Sequence, residues 1–217
     1  MSHFYELKAG VRQGGVLSPV LFGIYIDGLV KLVNESSIGC KIGACCTDIV
    51  LYADDIILLA PSLHGLQSLI SICESEFNFL CMTVNASKSA CLRFGPRYNI
   101  QCVNMMVSGT VIHWVSSVRY LGVYLESSYT FRSSFDRNKC KFYRSFNCIF
   151  GKVGRIASEE VLLALLRSKC LSMLLYGTEV CPTNAAVKHS LEFAINRVLF
   201  KIFGAASKEI YREIFLN

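Results

Sequence analysis

The sequence is short of the features that mark secreted, membrane-spanning and zinc-binding proteins. Its eleven cysteines include no Cys-x-x-Cys pair, and its four histidines have no ligand-like spacing to a cysteine pair, which argues against a structural zinc site. The first residues lack the basic start and apolar core of a secretion signal. The most apolar long segment, residues 161–175, is interrupted by Arg167 and Lys169 and falls short of a membrane span. We therefore expect a soluble protein with reduced thiols, in the nucleus or the cytoplasm, and no membrane partner.

Charged residues are also scarce, at 18% of the chain, whereas hydrophobic residues make up 53%. This balance argues against disorder, and 217 residues are enough for one domain or two small ones with a sizeable core. The net charge of +6 is compatible with a polyanionic partner but does not identify one. Basic residues are concentrated late in the chain, where only Asp136 opposes them: Arg132, Arg137, Lys139, Lys141, Arg144, Lys152 and Arg155.

Two adjacent carboxylates, Asp54 and Asp55, lie between two apolar runs. The runs, residues 48–52 and 56–60, are rich in β-branched residues and predict two strands, so that the acids lie at the bend of a hairpin. An ordinary solvated turn also accepts aspartate. Two neighbouring like charges repel one another, however, and a divalent cation is the usual way to make such a pair favourable. The hairpin is therefore a candidate Mg²⁺ site, with Mn²⁺ as an alternative ion.

A glycine-rich loop, residues 10–19, precedes the first predicted helix. Gly14 and Gly15 allow the backbone to come close to another chain, while Arg12 can hold a phosphate and Gln13 can bond a base or sugar edge. A simple connector before a helix is the alternative. The loop is thus a candidate nucleic-acid contact that needs support from elsewhere in the chain.

Periodicity predicts the remaining elements. Ser18 is expected to cap a helix over residues 19–34, and a second helix is expected to follow Ser62. The buried stripe of the first helix is predicted to consist of Val20, Leu21, Ile24, Ile26, Leu29 and Val30. A strand is predicted over residues 89–94, and two or three antiparallel strands between 101 and 126, with runs at 103–107, 111–115 and 118–125. Beyond Tyr129 the period becomes helical, with further helices at about 158–176 and 184–203.

Four motifs follow one another between residues 10 and 125. Gly10-Val11-Arg12-Gln13-Gly14-Gly15-Val16-Leu17-Ser18-Pro19 and Tyr52-Ala53-Asp54-Asp55 closely resemble motifs of the reverse transcriptases of non-LTR, LINE-type retrotransposons. Asn85-Ala86-Ser87-Lys88-Ser89 resembles the Asn-x-x-Lys-Ser motif of the same family. Arg119-Tyr120-Leu121-Gly122-Val123 resembles the strand with which these enzymes grip the primer. The agreement in order and spacing makes the resemblance specific.

The resemblance implies an RNA-directed DNA polymerase, a magnesium-dependent nucleotidyltransferase of retrotransposition and DNA integration. Its partners would be an RNA template, a DNA primer and deoxynucleoside triphosphates. Asp54 and Asp55 would act as catalytic metal ligands, and Lys88 would neutralise developing charge or protonate the leaving pyrophosphate. The predicted nucleic-acid or nucleotide contacts are Arg12, Gln13, Gly14, Tyr52, Ala53, Leu121, Gly122, Lys139, Lys141 and Arg144.

The implied fold is α+β, with a partial polymerase palm over residues 1–128 and a helical thumb-like bundle over residues 129–217. The palm would be an antiparallel sheet with packed helices. In the family, a strand before the glycine-rich motif supplies a further carboxylate. We expect this strand and the fingers to be missing here and to belong to a longer parent chain.

Asp48 cannot replace the missing carboxylate, because six residues of strand separate it from Asp54 by roughly 20 Å, whereas paired metals lie about 4 Å apart. The chain as given is therefore expected to be an incomplete, inactive polymerase fragment. Two alternatives remain: a non-catalytic remnant that binds nucleic acid, and a vestigial soluble interaction protein.

Overall fold

The computed structural model of the chain describes residues 14–43, 45–154 and 156–204. The chain divides into two compact units. The first holds the described residues up to Cys91 together with Cys102–Trp114, and the second holds Leu92–Gln101 and the described residues from Val115 onward. The division into a palm over 1–128 and a thumb over 129–217 stays a prediction. Among the helices within the described ranges, none is long and apolar enough to cross a membrane.

The first unit combines two helices with antiparallel strand pairs. Its helices are α1 (Ser18–Ser36) and α2 (Leu63–Phe79). Its strands are β1 (Lys41–Ile42), β2 (Cys45–Cys46), β3 (Ile49–Tyr52), β4 (Asp55–Leu58), β5 (Met105–Val107) and β6 (Thr110–Ile112), and each pairs with its chain neighbour: β1 with β2, β3 with β4, and β5 with β6. Helices and antiparallel sheets in one chain confirm the predicted α+β class.

Two apolar clusters hold the first unit together. In the larger one, Ile26, Leu29 and Val33 of α1 pack with buried residues of α2, and the inward face of the β3–β4 hairpin covers them. A smaller cluster joins α2 to β5 and β6. Burial within the larger cluster raises the pKa of the Cys73 thiol to about 12, because the charged thiolate would lose its hydration.

The second unit is a three-stranded antiparallel sheet followed by a helical bundle. Its strands are β7 (Ser117–Tyr120), β8 (Val123–Glu126) and β9 (Arg132–Ser134), with β8 in the middle. The helices are α3 (Asp136–Val153), α4 (Glu159–Leu165), α5 (Ser172–Leu175) and α6 (Ala185–Phe203), and a π-helical stretch, Leu166–Leu171, connects α4 to α5. Their core is built around Phe142, Phe146, Leu166, Leu174 and Leu199, all almost fully buried.

Two helices begin where they were predicted, and a side chain caps each of them, although the cap itself was predicted only at Ser62. Ser62 accepts a hydrogen bond from the Gly65 backbone N–H at the start of α2 (3.0 Å). Asn184 accepts one from the Val187 N–H at the start of α6 (2.9 Å). Both side chains satisfy a backbone N–H that has no partner inside the helix, which is the physical basis of the prediction at Ser62.

Predictions for the first unit failed at three points. Ser18 does not cap α1, because the helix already includes it and the cap position is Leu17, which forms no side-chain cap bond. The predicted buried stripe was also wrong, since Val20, Leu21 and Ile24 are exposed and only Ile26 and Leu29 of that set are buried. The strand predicted over residues 89–94 is reduced to isolated bridges at Cys91 and Phe94. Cys91 belongs to the first unit and Leu92 to the second, so the chain passes between units before a strand can form.

In the second unit, the run predicted as one strand over residues 118–125 is a hairpin. It bends at Leu121 and Gly122, which separate β7 from β8. The expected helical pattern beyond Tyr129 begins only at Asp136, because residues 132–134 first add β9 to the sheet beside β8.

Candidate functional site

The Asp54–Asp55 pair lies at the tip of a tight hairpin, as predicted. Tyr52 of β3 pairs with Asp55 of β4, so only Ala53 and Asp54 form the turn. Ala53 adopts a φ of 51°, in the left-handed region that a residue with a Cβ adopts only at a cost. Both aspartates are exposed. The hairpin therefore presents two carboxylates to solvent from a strained turn.

Side-chain alternation decides which way the hairpin faces. Ile49, Leu51, Ile56 and Leu58 all pack against the α1–α2 core. Paired residues share one face of a sheet, so Tyr52 and Asp55 lie on the opposite, outer face. Tyr52 is 62% exposed. The predicted metal ligands and the predicted nucleotide contact Tyr52 therefore occupy the accessible side of the hairpin.

The two carboxylates fit a divalent cation of the Mg²⁺ class in their chemistry. Mg²⁺ prefers oxygen ligands and is often bound by only one or two carboxylates, with water and substrate phosphates completing its shell. Within the described ranges, no ion pair occupies Asp54 or Asp55, and no group of three or more His, Cys, Asp or Glu side chains is arranged to hold a metal. The donor set thus suits one hydrated ion, whereas a pair of catalytic metals requires further ligands.

Asp48 lies at the base of the same hairpin and is completely buried. Its backbone carbonyl accepts a hydrogen bond from the Leu59 N–H (2.8 Å), and neither of its carboxylate oxygens has a hydrogen-bond partner. A Cβ added at Gly39 would lie 2.5 Å from the Asp48 Cβ, so the Gly39 backbone packs directly against the Asp48 side chain. Asp48 cannot reach an ion bound at the exposed turn.

Lys88 is presented by a turn that Asn85 organises. The Asn85 side-chain oxygen accepts hydrogen bonds from the Ser87 hydroxyl (2.7 Å) and from the Lys88 N–H (3.2 Å). The Asn85 carbonyl accepts bonds from the N–H and the hydroxyl of Ser89 (3.2 and 3.0 Å). Asparagine favours such side-chain-to-backbone turns. Lys88 is exposed, and none of the described residues forms an ion pair with it.

The glycine-rich loop is only partly described. Gly14 has a φ of 77°, and a Cβ placed there would meet no atom of the described residues within 4 Å. The backbone at Gly14 is therefore open to another molecule on that side. Arg12 and Gln13 lie outside the described residues, so their predicted contacts stay predictions.

The predicted primer-gripping residues form the turn of the β7–β8 hairpin. Tyr120 pairs with Val123, and the two turn residues Leu121 and Gly122 both have positive φ, 45° and 86°. Two positive φ values in succession match the type I′ turn, whose twist suits a hairpin. The Tyr176 hydroxyl donates a hydrogen bond to the Leu121 carbonyl (2.7 Å). No local pattern in the sequence indicated this contact, since the two residues are 55 positions apart.

The basic cluster divides into paired and unpaired side chains. Lys139 forms an ion pair with Asp136 (2.8 Å) and donates a hydrogen bond to the Ser190 hydroxyl (2.9 Å). The Lys139 bond holds the pKa of Asp136 below its usual value. Lys141 and Arg144 are exposed on α3, and no acidic side chain among the described residues pairs with them. Of the three predicted nucleic-acid contacts on α3, Lys139 is thus already engaged within the protein, whereas Lys141 and Arg144 have no acidic partner among the described residues.

A comparison with known protein families identifies the family of the chain. Residues 2–125 match the family described as reverse transcriptase (RNA-dependent DNA polymerase), which is more than half of the chain. The chain belongs to the reverse transcriptase family. The match includes the Asp54–Asp55 hairpin, the Lys88 turn and the Leu121–Gly122 turn, and it ends before α3.

Individual relatives confirm the resemblance to retrotransposon enzymes. The chain is 37% identical over 79 residues to the retrovirus-related Pol polyprotein from type-2 retrotransposable element R2DM of Drosophila melanogaster, a match that covers 36% of the chain and 7% of the relative. It is 29% identical over 133 residues to the RNA-directed DNA polymerase from mobile element jockey of Drosophila funebris, covering 58% of the chain and 14% of the relative. The matches thus span a small part of these relatives' length. No solved structure matches the chain.

Proposed function

We propose that this chain is a section of a polymerase core that extends a DNA primer on an RNA template during retrotransposition. The observation that carries the proposal is the β3–β4 hairpin, which exposes Asp54 and Asp55 at a strained turn in a chain of this family. In the proposed reaction the primer 3′-hydroxyl attacks the α-phosphate of a deoxynucleoside triphosphate, and pyrophosphate leaves. When bound, Mg²⁺ or Mn²⁺ supplies charge stabilisation for the attacking and leaving oxygens.

The residues of the chain have distinct proposed roles. Asp54 and Asp55 would hold the cation, and Tyr52, on the same outer face as Asp55, would contact the nucleotide or the primer end. Ala53 would contribute its backbone in the left-handed turn. Lys88, exposed on the turn that Asn85 organises, would neutralise the charge that develops on the leaving pyrophosphate or would donate a proton to it.

We further propose that another part of a longer protein completes the site with a strand that carries a carboxylate, and with the fingers. The two-carboxylate donor set supports this, because paired metals need more ligands than Asp54 and Asp55 provide. The apolar face of α1 also supports it. Leu17, just before α1, and Val20, Leu21 and Ile24 within it are between 52% and 70% exposed, and grouped exposed apolar residues are typical of interaction surfaces. The missing palm segment is the proposed occupant of that face.

Primer extension tests the proposal. The purified 217-residue chain, incubated with template, primer, labelled deoxynucleotides and Mg²⁺ or Mn²⁺, should not incorporate label. A longer chain that includes the carboxylate-bearing strand should incorporate it. In that longer chain Asp54→Asn should abolish extension, because a charged ligand is lost, and Asp55→Asn should reduce it.

Each outcome of this assay has a clear meaning. Glu35→Gln, an exposed acid at the end of α1, serves as the matched control and should leave extension unchanged. Retained extension by a folded, contaminant-free Asp54→Asn protein would refute the metal role. Incorporation by the short chain, lost on Asp54→Ala, would refute the proposal that the site is incomplete.

A second candidate function is binding of nucleic acid without catalysis. The exposed and unpaired Lys141 and Arg144 favour it, because they lie about one helical turn apart on one side of α3, at a spacing suited to neighbouring phosphates. Binding of a primer–template duplex by the short chain would support this function. Absence of any polynucleotide binding would favour the remaining alternative, a vestigial interaction protein.

We also propose that the protein works in a reducing compartment, the nucleus or the cytoplasm. All eleven cysteines are free, and several of them, including Cys45, Cys46 and Cys140, are exposed. Exposed thiols persist where the glutathione and thioredoxin systems keep them reduced. Imaging of the tagged protein in cells tests this, and accumulation in the secretory pathway would contradict it.

A further inference from the structure

The side chain of Tyr176, just after α5, reaches across the second unit to the turn that separates β7 from β8. Its hydroxyl donates a hydrogen bond to the Leu121 carbonyl (2.7 Å). A Cβ added at Gly122 would lie 3.0 Å from the Tyr176 Cε1 atom and 3.4 Å from its hydroxyl oxygen. The ring therefore packs directly on the Gly122 backbone, and a residue with a Cβ would have to displace the ring slightly and adopt a positive φ that favours glycine.

The turn needs such a support because its conformation is costly. Leu121 has a φ of 45°, and a non-glycine residue in the left-handed region costs about 1–2 kcal/mol. Strained residues of this kind persist where surrounding contacts hold them. The Tyr176 hydroxyl bonds the carbonyl of the strained residue itself, which fixes the orientation of the Leu121–Gly122 peptide.

Tyr176 is held in its turn by α3. The Asn138 side chain, 5% exposed, donates hydrogen bonds to the carbonyls of Tyr176 (2.9 Å) and Leu174 (3.4 Å). The next residue, Gly177, has a φ of 82°, and a Cβ there would lie 2.9 Å from a methyl carbon of Val123. Gly122 and Gly177 thus allow the segment at Tyr176 to pack closely against the β7–β8 hairpin.

These contacts connect two predicted nucleic-acid contacts. Asn138 lies on α3, the helix that carries the exposed Lys141 and Arg144. The backbone carbonyl of Tyr176 is bonded to this helix, and the hydroxyl and ring of Tyr176 contact the Leu121–Gly122 turn. Tyr176 therefore links the helix to the turn. The distance between the turn and the basic side chains is therefore set by a chain of hydrogen bonds and close packing within one unit.

We infer that Tyr176 is a positioning residue that fixes the Leu121–Gly122 turn relative to Lys141 and Arg144, so that both contact the same primer–template duplex. The inference rests on the proposed function. Tyr176 itself need not touch the duplex. Its hydroxyl orders the turn before binding, and an ordered turn binds more tightly because less conformational freedom is lost on association.

Tyr176→Phe tests the inference, because it removes only the hydroxyl. We expect the affinity of the 217-residue chain for a fluorescent primer–template duplex to fall about two- to tenfold, the range that one hydrogen bond typically contributes. The salt dependence of binding should not change, because Lys141 and Arg144 stay in place. Hydrogen exchange at the β7–β8 turn should become faster. Tyr129→Phe, at a tyrosine that is 65% exposed, is the matched control and should change none of these quantities.

The outcomes separate the inference from the proposed function. Binding is measured well below the unfolding temperature, with circular dichroism confirming that each variant is folded, so that lost stability alone would not lower the affinity. If the unaltered chain binds and Tyr176→Phe binds equally well, the inference is refuted and the proposed function stands. If the unaltered chain binds no duplex, the proposed binding surface is refuted and the inference falls with it. Unchanged exchange at the turn would refute the positioning role in either case.

Discussion

Gly39 offers the sharpest test of how the β3–β4 hairpin is anchored. Gly39 is not among the positive-φ residues, so alanine there introduces no backbone strain of that kind. Its Cβ would instead lie 2.5 Å from the Asp48 Cβ and from one Asp48 carboxylate oxygen. Real Cβ atoms do not approach other heavy atoms so closely. Either the Asp48 side chain or the backbone must therefore move.

The surroundings leave little room for such a movement. Asp48 is completely buried, and its carbonyl is bonded to the Leu59 N–H (2.8 Å). The Leu59 carbonyl in turn accepts a hydrogen bond from the N–H of Cys40 (3.2 Å), the residue next to Gly39. Overpacking of this kind typically costs about 1–3 kcal/mol. We expect Gly39→Ala to lower the free energy of unfolding by that amount.

Urea unfolding followed by tryptophan fluorescence measures the effect. Trp114 is the single tryptophan and belongs to the same unit as Gly39, so its emission reports on that unit. The matched control is Gly23→Ala, an exposed glycine inside α1 with no atom within 4 Å of an added Cβ. It should stabilise by about 0.5–1 kcal/mol, because alanine is the better helix former.

A double variant identifies the cause. Gly39→Ala combined with Asp48→Gly removes the Asp48 Cβ that the new methyl group would meet, together with two carboxylate oxygens that have no hydrogen-bond partner. The combination should therefore be more stable than Gly39→Ala alone, with a coupling between the two changes. A Gly39→Ala protein as stable as the unaltered chain would refute the claim that Gly39 and Asp48 pack too tightly to admit a methyl group.

Two further predictions concern the basic helix and a buried thiol. The slope of log affinity for duplex against log salt should become shallower by about 1.8 in the double variant Lys141→Ala/Arg144→Ala, at roughly 0.9 per lost phosphate contact. Lys139→Ala should leave the slope unchanged, because Asp136 and Ser190 already engage that lysine. An unaltered slope in the folded double variant would contradict the phosphate contacts. Burial raises the pKa of Cys73 to about 12. The buried neutral thiol therefore contributes its full stability below the unfolded pKa of about 8.5, and this contribution is lost as the pH rises towards 12. The free energy of unfolding of the unaltered chain should therefore fall above pH 9, by up to about 1.4 kcal/mol per pH unit. The fall should be less steep in Cys73→Ala and equally steep in Cys148→Ala, where the thiol is exposed. Equal slopes in all three proteins would refute this account.

The sequence was informative wherever short-range chemistry decides the structure. The β3–β4 hairpin follows from two β-branched runs with turn-tolerant aspartates between them, and both its pairing and its bend were predicted. The cap at Ser62 follows from the reach of a side-chain oxygen to an N–H three residues on. The same holds for the candidate site, because the described motifs at Asp54, Lys88 and Leu121 each lie at a local turn.

Predictions failed where distant residues decide the outcome. The α1 stripe was predicted from apolar spacing alone, yet spacing shows only that a face is apolar and not that anything covers it, and Val20 and Ile24 are exposed. The break at Leu121 was missed for a related reason. A leucine with positive φ contradicts its own propensity, and the contact that supports it comes from Tyr176, 55 residues later.

Lys139 illustrates how the same limit applies to the site itself. By sequence it is equivalent to Lys141 and Arg144, since all three are basic residues of one helix. The helical repeat places Asp136 three residues before Lys139, where the two side chains meet, and the fold brings Ser190 of α6 to the same ammonium group. An ammonium group already engaged by two partners has less to gain from a phosphate. The charge available to nucleic acid on α3 is therefore determined by helix packing, and composition alone overestimates it.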